Sequence, residues 1–168
     1  APDARKALYA RVAALEETRL DDRAQAIATW REVLSQDPDD PDALAALERL
    51  YELGAQWTEL GEIVRHQVDL TPDVSVKTGQ LFRLVALHEH KRHSPADAVL
   101  VLLEILDLDP DDTRALDELA RFHRAAGRHV ELHEVLERRL AIADALAEPD
   151  AVARRHEIAE QIGRASCR

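Results

Sequence analysis

At 168 residues the chain has length for one domain or a short array of repeats. Its net charge of −11 argues against a general nucleic-acid binder, because neutralising phosphates requires basic surface. No run reaches the roughly 18 apolar residues that a membrane span requires, and no signal-peptide layout opens the chain.

Alanine and leucine dominate, helix formers fill the spaces between prolines, and no segment alternates as a strand does. These features predict an all-α chain. Helical periodicity places the first pair of helices at about 4–20 and 22–36. The pair closes at Asp37-Pro38-Asp39-Asp40. Proline lacks a backbone donor and pushes its predecessor out of the helical region, while aspartate is a favoured N-cap. One short phrase therefore ends a helix and opens the next.

The second pair follows at about 42–53 and 57–70, joined by Gly54-Ala55-Gln56, and closes at Thr71-Pro72-Asp73. The third lies at about 75–91 and 95–108 and closes at Asp109-Pro110-Asp111-Asp112, a copy of the first phrase. The fourth lies at about 113–126 and 129–147, joined by Gly127-Arg128, and closes at Glu148-Pro149-Asp150. A ninth helix at about 150–163 would begin a further unit, to about residue 161. Gly54 and Gly127 stand where a helix C-terminus favours a residue tolerant of positive φ. Such short connections make neighbouring helices antiparallel.

The closing prolines are spaced by 34, 38 and 39 residues, which is a repeat period. Overlaying residues 26–64 on 98–136, an offset of 72, gives fourteen identities in thirty-nine positions. They include Ala26/Ala98, Leu44/Leu116, Leu47/Leu119 and Arg49/Arg121. Most are apolar or cap positions, so packing repeats more than chemistry. A helix pair of this size cannot bury its apolar face alone and must stack on its neighbours. Trp30, Leu47, Leu102 and Leu119 are the expected core.

Ala26-x-x-x-Trp30 with Pro38, and Leu44-x-x-Leu47 with Tyr51, resemble the second and first helices of tetratricopeptide repeats (TPRs). Ala98-x-x-x-Leu102 with Pro110, and Leu116-x-x-Leu119-Ala120 with His123 in the tyrosine slot, form a second, weaker copy. The chain departs from the pattern at Glu48, Leu60 and Leu132, where the family favours small residues. The resemblance covers about residues 5–147 and implies a right-handed α-solenoid of antiparallel helix pairs.

In the resembled family, first helices of successive pairs line a concave groove that holds a partner's peptide. Carried over, the groove positions are Arg11, Arg19, Arg49, Arg83, Lys91, Arg114, Arg121 and Arg124. Asp42, Glu52 and Asp117 are the acids there, and Leu15, Leu53 and Leu87 form an apolar floor. Eight basic residues against three acidic imply a protein or peptide partner with an acidic segment; the net charge argues against nucleic acid, and the lack of a long apolar run against membrane insertion. The bland reading has these arginines solvated or bridged to nearby acids. The absence of asparagine argues against the carboxylate clamp of related repeats.

No catalytic centre, cofactor or metal site is expected. The chain has no clustered glycines for a phosphate loop and no nucleophile constellation, and its carboxylates fall at caps or on mixed faces. Glu16, Glu17, Glu134 and Glu137 read as solvated surface. His88, His90 and His93 share no single face, and His129/His133 lacks the glutamate of a zinc-protease helix. The expected function is a protein–protein interaction scaffold; the alternative is a docking or regulatory array of a larger enzyme. Cytoplasmic placement is the default expectation.

Nineteen arginines against three lysines, with no Met or Asn, suggest a GC-rich bacterial genome and a piece of a longer protein. Residues 162–168 back-translate into a common short-read sequencing adapter, so they and Cys167 are expected to be read-through.

Overall fold

A computed structural model describes residues 2–18 and 22–145, together with His156 and Glu160. Arg19, the ninth helix and the 162–168 tail lie outside the described residues. Among the described residues there are eight α-helices and no strand: α1 Pro2–Thr18, α2 Arg23–Gln36, α3 Pro41–Leu53, α4 Trp57–Leu70, α5 Val74–His90, α6 Pro95–Leu108, α7 Thr113–Ala125 and α8 His129–Ala145. Two compact units divide the chain, residues 1–80 and 81–168, with the boundary inside α5.

In the first unit, α1 and α2 run in opposite directions. Lys6, near the start of α1, reaches Asp37 at the end of α2 at 2.7 Å, while Glu16 near the end of α1 accepts from Thr29 at 2.7 Å. The core is drawn from every third or fourth position of each helix. Leu44, Leu47, Leu50 and Tyr51 of α3 are buried, as are Leu60, Val64 and Val68 of α4. Trp30 is buried in α2, as expected for a wide apolar stripe facing a core.

The second unit repeats this plan. Leu102 and Ile105 of α6 and Leu116 and Leu119 of α7 are buried. Leu132 and Leu136 of α8 cluster with Ala120, and Val135 and Leu140 pack against them. Asp117 near the start of α7 accepts from Arg139 near the end of α8 at 3.0 Å, so these helices are also antiparallel. The protein is thus an all-α helical repeat built of antiparallel pairs.

The DPDD phrases act as their residues dictate. Asp37 and Asp109 are extended, with φ −140° and −134°, and end α2 and α6. Asp40 and Asp112 cap the following helices by accepting from Ala43 and Ala115 at 2.7 and 2.8 Å. A second contact repeats at the offset of 72. His66 lies 3.1 Å from the Pro38 carbonyl, and Arg138 donates to the Pro110 carbonyl. The second helices α4 and α8 therefore each reach back to the junction that opens their own pair.

The expectation for Gly54 is corrected. Gly54 has φ −86°, and the positive φ falls one residue later, at Ala55 with 53°. Gly127, at 69°, is the equivalent of Ala55. The turn geometry is the same in both units, but the first places its glycine one position early. A Cβ on Gly54 would lie 3.2 Å from the Leu50 carbonyl oxygen, which gives that glycine a different use.

Candidate protein-interaction faces

The described groove positions carried over from the resemblance lie on first helices α1, α3, α5 and α7, except Lys91, which follows the last residue of α5. Arg11, Arg49, Arg83, Lys91, Arg114, Arg121 and Arg124 are all at the surface. Their surroundings differ.

Arg49 meets Glu17 of α1 with both terminal nitrogens, Nη2 donating to Oε2 at 2.7 Å. Arg121 meets Glu89 of α5 the same way, at 2.6 and 2.7 Å, and adds Glu118 through Nε at 2.9 Å. Glu17 and Glu89 are themselves 72 residues apart, so the bridge repeats as a unit. Two-toothed arginine–carboxylate pairs are the strong form of charge-assisted bond. Arg49 holds the Glu17 carboxyl below the usual carboxylate range, and Arg121 does the same for Glu89. For these two arginines the bland reading holds. The carboxylates escape an internal overlay that begins at residue 26; carried back to residue 17, the same offset aligns both bridges.

Arg114 is placed differently. Its guanidinium carbon lies 3.8 Å from the centre of the Phe82 ring, a cation–π contact that keeps the charge at the surface. The acids Asp42, Glu52 and Asp117 are exposed, and Asp117 takes the bond from Arg139. Of the expected apolar floor, Leu15 and Leu53 are 55% and 60% exposed, but Leu87 is buried in the core. Leu87 is therefore removed from the floor. On α5 it falls in a buried series with Leu81, Leu84, Val85 and His88.

Glu16 also departs from expectation. It is buried and accepts from Thr29, so it joins α1 to α2. Lys6 lies between Asp37 and Asp40 and is held well above its usual range, chiefly by its hydrogen bonds to those carboxylates. Burial works to raise Asp40, but Lys6 and the Ala43 N–H outweigh it and hold the carboxyl low. The N-cap of α3 is thus tied to the first helix.

The histidines do not converge. His88 is buried, with Nδ1 3.2 Å from Arg92 and 3.7 Å from Asp97. His133 faces Glu137 at 3.2 Å. Among the described residues no group of three His, Cys, Asp or Glu is placed to hold a metal ion. Among them, no helix is long and apolar enough to cross a membrane.

No family model matches the chain, and no curated protein matches it. Solved structures do. A MamA protein is 18% identical over 96% of this chain and 86% of its own, with a TM-score of 0.48. YrrB, described as a TPR protein with an unusual peptide-binding site, is 16% identical over 94% and 82%, with a TM-score of 0.47. TTC0263, a thermophilic TPR protein of Thermus thermophilus, is 19% identical over 95% and 84%, with a TM-score of 0.39. The all-helical, paired architecture stands on the chain's own helices and their repeated contacts.

Proposed function

We propose that the chain is a protein–protein interaction scaffold whose first-helix faces take an acidic partner segment. The observation that carries this reading is the excess of exposed basic side chains on α1, α3, α5 and α7 in a chain of net charge −11. Each unit contributes its own share: Arg11 with Leu15 and Leu53 in the first, and Arg83, Lys91, Arg114 and Arg124 in the second. Arginine suits the task because its planar fork grips a carboxylate with two hydrogen bonds.

The Glu17 and Glu89 bridges refine the division of labour. Arg49 and Arg121 are already satisfied, so they hold successive first helices together and add positive potential. An incoming carboxylate would have to displace a bound one there. Exposed pairs contribute only about 0–1 kcal/mol each, so affinity must come from several contacts and fall with salt.

The test uses two fluorescein-labelled, leucine-free peptides, one rich in Asp and Glu and one rich in Lys. The acidic peptide should bind more tightly, and its advantage should shrink steeply as salt is raised. Equal binding of both peptides at low salt would refute the reading.

A further inference from the structure

The second unit holds an open cleft of about 580 Å³ between α6 and α8, floored by α7. Val99, Leu100 and Leu103 form one wall, Leu119 and His123 the floor, and Val135 part of the other wall. Leu100 and Leu103 are 64% and 45% exposed. We infer that this cleft is a second docking site, which takes the apolar edge of a partner helix carrying Lys or Arg beside its leucines.

The repeat supplies an internal control. Seventy-two residues earlier, Arg31 stands at the position of Leu103, Tyr51 at that of His123 and Ala28 at that of Leu100. Arg31 Nε donates to Tyr51 Oη at 2.7 Å, and its guanidinium lies 5.6 Å from the centre of the ring. At those positions the first unit ties its second helix to the following first helix with a side chain of its own. The second unit has leucine and histidine there, and the tie is gone. Packing alone does not ask for this exchange, because the flanking core positions Leu47/Leu119 and Leu60/Leu132 are the same in both units.

The cleft is also chemically specific. His123 is only 7% exposed, and its ring lines the floor of the cleft. Burial pushes its pKa below the ordinary histidine range, so the ring is neutral and offers one donor and one acceptor.

Along the α8 rim stand Arg128, Glu131, Glu134 and Arg138. Arg138 is held by the Pro110 carbonyl. Glu131 and Glu134 are both exposed. They lie at i and i+3 on one helix face, opposite exposed leucines. A helix docked there with its leucines in the cleft would place a Lys or Arg against these carboxylates. An apolar helix edge in a groove with charged flanks is a recurrent recognition mode.

This site shares none of its residues with the basic first-helix positions, so the two proposals stand or fall separately. The experiment uses the full chain and three labelled helical peptides. One has leucines at i, i+3 and i+7 flanked by Lys, one has Glu in place of Lys, and one has Ala in place of Leu. The Lys–Leu peptide should bind more tightly than either control by about tenfold.

Leu100→Glu changes an exposed side chain, so the protein should stay folded while losing this binding. The double variant Leu103→Arg with His123→Tyr, which copies the first unit, should lose it as well. Reversing Glu131 and Glu134 to Lys should shift preference to the Glu–Leu peptide. Equal binding of the Leu and Ala peptides, parental binding by Leu100→Glu, or a Lys preference that survives the reversal would each overturn the inference.

Discussion

Arg121 holds Glu89 with both of its terminal nitrogens, at 2.6 and 2.7 Å, repeating the grip of Arg49 on Glu17 in the other unit. In each case a first helix is bridged to the first helix before it. Both arginines remain about half exposed, which limits what each bridge contributes. A double-mutant cycle with Arg121→Ala and Glu89→Ala should give a coupling of roughly 0.5–1 kcal/mol, falling as salt rises. Chemical denaturation of the four proteins measures it. A zero coupling at low salt would show that the bridge is not a structural tie.

The same bridge sets a pH dependence. The folded state holds Glu17 and Glu89 low through their arginines, and Asp40 low through Lys6 and the Ala43 N–H against the effect of burial. A carboxyl whose folded pKa is depressed stabilises the fold above its unfolded pKa, near 4, and loses that contribution as pH falls through the folded value. His123, lowered by burial, stabilises fully above about pH 6.5 and loses its contribution below that. Thermal midpoints should therefore decline first as pH falls below about 6.5, then again below about pH 4. In His123→Phe the first decline should be absent, and its persistence would place its origin elsewhere.

Core and junction should respond on different scales. Leu102 and Leu119 are almost wholly buried, so Leu→Ala at either should cost about 2–5 kcal/mol. Pro110→Ala should cost far less, because Asp112 caps α7 through the Ala115 N–H whether or not proline precedes it. Asp112→Ala should lie between, at about 1 kcal/mol. Urea denaturation ranks the four changes, and a proline effect larger than the leucine effects would contradict this view of the junction.

The turn after each first helix gives a paired prediction. Ala55 holds φ 53° without being glycine, whereas Gly127 holds 69°. Gly127→Ala should destabilise by about 1 kcal/mol, and Ala55→Gly should stabilise by a smaller amount. No heavy atom crowds a Cβ at Gly127, so backbone conformation alone is tested there. Calorimetric melting would show both changes, and equal signs would refute the assignment.

These particulars mark how far the sequence reaches. The helices were legible to within two residues where they are described, because proline and aspartate punctuate them and the period recurs. The side-chain ties were less legible. Glu17 and Arg49, like Glu89 and Arg121, are 32 residues apart, and only the stacking of successive pairs makes them neighbours. Leu87 was misplaced because a first-helix position reads alike whether it faces a groove or a core. The cleft beside α8 was invisible, since it arises from a missing tie rather than from a motif.

The central claim is that basic first-helix positions recognise acidic partners while Arg49 and Arg121 hold the helices together. The most direct test is fluorescence anisotropy with the leucine-free acidic and basic peptides, comparing the parent with an Arg83→Glu, Arg114→Glu, Arg124→Glu triple variant. The account predicts that the variant, folded by circular dichroism, loses most of its preference for the acidic peptide, by about tenfold at low salt. An unchanged preference in a folded variant would contradict it.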